Sequence, residues 1–295
     1  MQVTQRSVLA ADGWRLQAVD ISPDSRPKAL VVAGHAMMVD GRTLWRPDRP
    51  SIVGTLVDAG FRVLVADLRG HGASGPRADA GGDWTYDELV ADTEVWRSLA
   101  DDLADGLPVL WLSHSLFGHT SLAWFGLNPH RLPHAFVALA VNAWNRRFEP
   151  NPLLWLGKST VMKTSRFAAE RAGRMPVKRL RMGNHDEAIG YWRDLTRMAA
   201  TRWESRTGTD YYVGMPNVSV PVLCVFSDGD RVFTRPADGL AFTAALSNRH
   251  VLRLGASCDV ESLRGMTPGH MGLVTDASAA PLWQHVAKWF SARVQ

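Results

Sequence analysis

Five short stretches of the chain are almost continuously apolar: 28–33 (KALVVA), 61–66 (FRVLVA), 108–112 (PVLWL), 135–141 (AFVALAV) and 221–226 (PVLCVF). A strand without polar alternation has both faces covered, which marks a parallel sheet lying between layers of helices. Between the second and third stretches, Thr85-Tyr86-Asp87-Glu88 reads as a capping box, and Leu89, Trp96, Leu99 and Leu103 follow at helical spacing. Strand and helix therefore alternate. Near the start, 6–10 and 14–21 flank the turn sequence Asp12-Gly13, so the sheet is expected to open with an antiparallel hairpin before it becomes parallel.

The alternation stops over 144–217, a stretch with large aromatic residues and helical patterns such as 187–203. It resumes at Val218, and the strand that follows needs the earlier sheet to pair with. This predicts one α/β core built from 1–143 and 218–295, with 144–217 a mainly helical cap inserted between two core strands. No internal repeat or low-complexity tract interrupts the pattern.

Composition narrows the class. A chain of 295 residues can bury one large core. Its first twenty residues hold no apolar segment after a basic start, and nowhere do about eighteen apolar residues run together, so a protein without export signal or membrane span is expected, in the cytoplasm. The two cysteines, Cys224 and Cys258, have no metal-ligand spacing around them; free thiols are expected, and no metal site. The net charge is +4, yet 145–184 carries ten Lys or Arg against two Glu, a local excess of +8. A solvated basic face is the plain reading, with an anionic substrate or acidic partner as the functional one. No motif points to nucleic acid.

The candidate chemistry centres on 112–119, Leu-Ser-His-Ser-Leu-Phe-Gly-His. It follows a strand and precedes an expected helix over 116–125, so Ser115 sits on a turn at the carboxyl edge of the sheet, where open α/β sheets bind ligands. A serine hydroxyl becomes a nucleophile only with a base to take its proton and an acid to orient that base. After the strand at 221–226, Ser227-Asp228-Gly229-Asp230 places two carboxylates at the same edge. Further on, Thr267-Pro268-Gly269-His270 sets a histidine in a loop before the last helical pattern, 281–290. The other histidines are read as packing or turn residues: His114 and His119 beside the turn, His71 after the second run. His185-Asp186-Glu187 is read as a solvated cap loop.

This layout resembles the α/β-hydrolase superfamily: a strand-turn-helix nucleophile elbow, Asp67-Leu-Arg-Gly-His-Gly-Ala-Ser-Gly75 after the fourth strand, an acid after the seventh, a histidine after the eighth and a helical cap after the sixth. The resemblance covers nearly the whole chain and closes on a His270-Met271-Gly272 turn similar to that of uncharacterised members. It implies a mostly parallel eight-stranded sheet, Ser115 as nucleophile, His270 as base and Asp230, rather than Asp228, as the acid. It implies an oxyanion hole made by the backbone N–H groups of Leu116 and Met37, the latter from the loop Gly34-His35-Ala36-Met37. Such donors are worth roughly 3–4 kcal/mol of barrier each. His35, Met38, Phe117, Trp144 and Met271 are the candidate substrate-pocket residues.

Three positions depart from the family pattern. Its Gly-x-Ser-x-Gly elbow is Ser113-His-Ser115-Leu-Phe117 here, and Ala36 replaces a glycine of the oxyanion loop. The phenylalanine is the large change, because a helical Cα–Cβ bond leans the ring back toward the elbow. The expectation is that Phe117 packs into a locally widened space; an elbow displaced by the ring would overturn it.

Function follows in three forms. The first is a serine hydrolase that cleaves a carboxylic ester or thioester through an acyl-enzyme on Ser115, needing no metal or organic cofactor. The second is an acyltransferase with the same triad, holding an anionic carrier such as a coenzyme A thioester on the basic cap. The third is a catalytically weak binding protein on a hydrolase scaffold. A dehalogenase is disfavoured, since its nucleophile is a carboxylate. The partner is a small-molecule acyl substrate in each case, and an apolar cap leaves open a homodimer.

Overall fold

The computed structural model describes residues 1–149 and 151–294. Ten strands occur among them: β1 (Gln2–Leu9), β2 (Arg15–Ser22), β3 (Leu30–Gly34), β4 (Arg62–Asp67), β5 (Val109–His114), β6 (Ala135–Leu139), β7 (Arg174–Met175), β8 (Glu187–Ala188), β9 (Val222–Ser227) and β10 (Arg249–Leu254). Eight form one sheet in the order β1-β2-β4-β3-β5-β6-β9-β10. β1 pairs antiparallel with β2 and β2 antiparallel with β4, and every later pairing is parallel. This is the α/β-hydrolase sheet, opened by the hairpin that Asp12-Gly13 turns.

The apolar runs form the centre of the sheet because each feeds two cores. In β3, Leu30 and Val32 face one side while Val31 and Ala33 face the other; all four are fully buried. Helices α2 (Tyr86–Ala104) and α3 (Leu116–Leu127) cover the first face, and α1 (Ile52–Asp58) with α9 (Ala280–Ser291) covers the second. α2 starts on the capping box read from the sequence, with the Thr85 side chain on the Glu88 N–H and the Glu88 carboxylate on the Thr85 N–H.

Between β6 and β9 the main sheet gains no strand. That stretch contains α4 (Pro152–Ala172), the two-stranded β7–β8 pair, α5 (Ile189–Ala200) and the single turn α6 (Tyr211–Gly214). The helix expected over 187–203 is shorter, because Glu187 and Ala188 pair with β7 and Thr201 ends α5. α7 (Pro236–Phe242) and α8 (Gly272–Thr275) complete the chain after β9 and before α9. Among the described residues, no helix is long and apolar enough to cross a membrane.

Candidate active site

β5 ends at His114, and Ser115 follows with φ +53° and ψ −114° before α3 begins. This backbone is strained for a residue with a side chain, and such strain is stored where the surroundings impose it. The Ser115 N–H is anchored to the Leu139 carbonyl of β6 at 3.0 Å. Two further non-glycine residues with positive φ border the same place, Met38 at +65° and Ala140 at +48°. Ala140 accepts the Thr234 hydroxyl at 2.9 Å, and Thr234 lines the cavity together with Ser115 and Met38.

The two carboxylates after β9 part company. Asp228 pairs with Arg253 of β10 at 2.8 Å on the surface. Asp230 is buried and accepts from His270 Nδ1 at 2.5 Å and from the backbone N–H groups of Phe233 at 3.0 Å and Thr234 at 3.1 Å. Burial alone would raise its pKa, yet His270 and the two amides together hold its carboxyl below the ordinary range. Gly229 makes this approach possible, since a Cβ there would meet the Thr267 carbonyl oxygen at 2.0 Å. The Ser227 hydroxyl also donates to Pro268 O at 2.6 Å, tying the acid turn to the histidine loop.

His270 is held on its other side by His114, the residue before Ser115. Their rings lie 4.9 Å apart, and His114 Nε2 donates to the His270 carbonyl at 3.0 Å. Burial, then the neighbouring His270, pushes the His114 pKa down to about 3, so it stays neutral. The structure thus brings Asp230 and His270 together and seats His270 against the residue preceding Ser115. Among the described residues the Ser115 hydroxyl makes no hydrogen bond to His270, a contact that often tightens only with substrate bound.

Phe117 is fully buried, stacked on Trp111 at 5.5 Å and 3°. Its ring fills the space over Gly34, where a Cβ would lie 2.1 Å from it. The other elbow departure is equally compact: Ser113 donates to Val137 O at 3.0 Å and packs under Gly118. With both side chains packed beneath it, the turn keeps the Ser115 N–H on the Leu139 carbonyl.

Above Ser115 lies a cavity of about 320 Å³, walled by Met37, Met38, Trp144, Met162, Trp192 and Phe233 among others, with no Lys or Arg in its lining. Of the candidate pocket residues, Met38 and Trp144 are in this lining, and His35, Phe117 and Met271 are not. His35 is buried behind the loop, where Nδ1 donates to Ala36 O and Nε2 accepts from Leu68 N–H. Phe117 belongs to the core under the elbow, and Met271 lies outside the lining. Among the described residues, the N–H groups of Met37 and Leu116 have no protein acceptor, whereas the Met38 N–H donates to Glu187 Oε1 at 2.6 Å.

Several polar residues were misread from sequence. His185, Asp186 and Glu187 are all buried rather than solvated, because Asp186 binds Arg174, His185 binds Asp40 and Glu187 reaches His71 and Met38. The charged triplet running directly into the apolar stretch Ala188-Ile189-Gly190-Tyr191-Trp192 was the available signal. His119 packs as expected, stacked on Tyr86 and bonded to its hydroxyl at 2.7 Å, but it also lines the cavity. Asn142, just past β6, lines the cavity too, and its Oδ1 has no partner among the described residues. No group of three or more His, Cys, Asp or Glu among the described residues is arranged to hold a metal.

A model of the family described as serine aminopeptidase, S33 matches residues 25–254, spanning the elbow and the acid turn. The chain belongs to that family. It is an α/β-fold serine hydrolase, and the solved structures it resembles share the fold at low identity. A thermostable carboxyl esterase from Bacillus coagulans superimposes with a TM-score of 0.67 at 15% identity, covering 100% of both chains. A thermophilic esterase from Thermogutta terrifontis gives 0.63 at 17% identity, again over 100% of both. Est1E from Butyrivibrio proteoclasticus, solved with ferulic acid bound, gives 0.65 at 14% identity over 98% of this hydrolase and 99% of its own chain. No curated protein sequence matches the hydrolase.

Proposed function

We propose that this hydrolase cleaves a carboxylic ester or thioester through an acyl-enzyme on Ser115. The observation that carries the reading is the strained Ser115 turn beside a buried His270–Asp230 pair, at the floor of an apolar cavity. His270 takes the Ser115 proton as Oγ attacks the acyl carbon. Asp230, kept ionised by its three donors, fixes the imidazole tautomer with Nδ1 protonated and stabilises the imidazolium. The oxyanion sits on the N–H groups of Leu116 and Met37, which among the described residues have no protein acceptor to leave. His270 returns the proton to the leaving alcohol or thiol, and water then releases the acid by the same steps in reverse.

The cavity supports a neutral, largely apolar acyl group, since its wall is rich in methionine and aromatic side chains and free of cations. We take 144–217 as the cap that closes it, with α4 and α5 supplying Met162, Ser165, Trp192 and Leu195 to the wall. The basic excess of this segment lies outside the cavity and is partly neutralised: Lys158 pairs with Glu149 and Asp238, and Arg174 with Asp186. That arrangement disfavours an anionic acyl group and leaves transfer from an anionic carrier as the second reading.

The test is covalent labelling. A fluorophosphonate should add once to the wild-type chain, on the peptide that contains Ser115, and not to Ser115→Ala. Labelling that survives the substitution would overturn the assignment.

A further inference from the structure

The loop that carries Met37 is gripped at its next residue by the segment 183–187, nearly 150 positions away in sequence. Met38 is in the left-handed region, φ +65°, which a methionine adopts only when held there. Both of its backbone groups are held. Its N–H donates to Glu187 Oε1 at 2.6 Å, and its carbonyl accepts from the N–H groups of Asn184 at 3.0 Å and His185 at 3.1 Å. Gly183 lies flat against the same carbonyl, where a Cβ would come within 2.3 Å of the oxygen. Two residues further on, Asp40 accepts from His185 Nε2 at 3.0 Å.

Glu187 is fully buried, and besides Met38 it meets only His71 Nε2, at 3.1 Å among the described residues. Its second oxygen has no partner there. A buried carboxylate half satisfied is a poor device for stability, because an apolar residue of the same shape would remove the desolvation cost. What it does achieve is selective: the loop offers two successive amides, and Glu187 consumes that of Met38 while that of Met37 stays free.

We infer that Glu187 is a positioning residue for the oxyanion hole, and that docking of 183–187 onto Met38 is what presents the Met37 amide to the reacting carbonyl oxygen. The inference rests on the hydrolase reading above and adds to it a dependence of transition-state stabilisation on a side chain that touches neither substrate nor Ser115. Clamping Met38 fixes the peptide that follows Met37, and the peptide that carries the Met37 N–H is tied at its own carbonyl by His35 Nδ1 on Ala36 O, so the clamp holds one flank of that amide while His35 holds the other. The segment beyond β6 thereby takes part in the chemistry through the backbone and not only by shaping the cavity.

The experiment compares wild type with Glu187→Ala, Glu187→Gln and Gly183→Ala, using a p-nitrophenyl ester for kcat and KM and a trifluoromethyl ketone as a tetrahedral analogue. Thermal melts confirm folding. Glu187→Ala should lower kcat about 100-fold with KM nearly unchanged, the scale of losing one oxyanion donor, and weaken the ketone in parallel. Glu187→Gln, which keeps an acceptor for the Met38 N–H, should recover most of that loss. Gly183→Ala, which pushes on the Met38 carbonyl with Glu187 intact, should reproduce the pattern and serves if Glu187→Ala does not fold. A wild type that turns over ester while folded Glu187→Ala or Gly183→Ala keeps its kcat and ketone affinity would overturn this inference alone. A wild type that neither turns over ester nor takes up a fluorophosphonate would overturn the hydrolase reading and this one with it.

Discussion

The ring of Phe117 occupies the volume that a side chain at Gly34 would need, 2.1 Å from where its Cβ would stand. The elbow has lost a glycine two residues after Ser115, and the neighbouring strand end supplies the missing room. The ring is then stacked on Trp111 and closed off from water.

This pairing predicts strong coupling. Gly34→Ala should destabilise the protein by about 1–3 kcal/mol through overpacking, and Phe117→Ala by about 3–5 kcal/mol through the cavity it leaves. In the Phe117→Ala background the extra methyl at 34 has space, so the double mutant should be more stable than the sum of the singles by at least about 1 kcal/mol. Urea unfolding of the four proteins measures the cycle, and strict additivity would mean that the two residues do not share the space.

The two carboxylates after β9 separate by their partners, Asp230 on His270 and Asp228 on Arg253. Asp230→Asn should reduce kcat by about 10⁴-fold, since the imidazole loses the partner that fixes its tautomer. Asp228→Asn removes only a surface pair with Arg253, and kcat should stay within about threefold, as expected for an exposed ion pair. Steady-state kinetics of the two variants decides the assignment.

His119 predicts a feature of the acid limb of stability. Burial pushes its pKa down to about 3, against an ordinary value of 6.5. The unfolded chain binds this proton below about 6.5 and the folded one only near 3, so the contribution is complete above 6.5 and is lost as pH falls through that window. At pH 5, His119→Gln should flatten the dependence of unfolding free energy on pH by about 1.4 kcal/mol per unit, the equivalent of one proton. An unchanged slope would mean that the imidazole titrates in the folded state.

The parts of the fold that could be read from the sequence were those set by local pattern. Strands such as Leu30–Gly34 and Val222–Ser227 are buried on both faces, and the Thr85 capping box and Asp12-Gly13 turn act over a few residues. The positions of Ser115, Asp230 and His270 after strands at the carboxyl edge were legible for the same reason, as was the meeting of Asp230 with His270. What stayed hidden depends on contacts distant in sequence. Nothing near Phe117 signals that Gly34 makes its space. Glu187 looks solvated until the loop at Met38 is seen to need an acceptor, and His35 was misplaced in the pocket because its tie to Leu68 arises only when β3 and β4 pair.

The most direct measurement of the central claim is the pre-steady-state reaction of wild type and Ser115→Ala with a medium-chain p-nitrophenyl ester. The account predicts a burst of p-nitrophenol close to one equivalent per active chain in the wild type, followed by slower turnover, and neither phase in Ser115→Ala. Turnover of similar size in the two proteins would contradict it, because the acyl group would then not pass through Ser115.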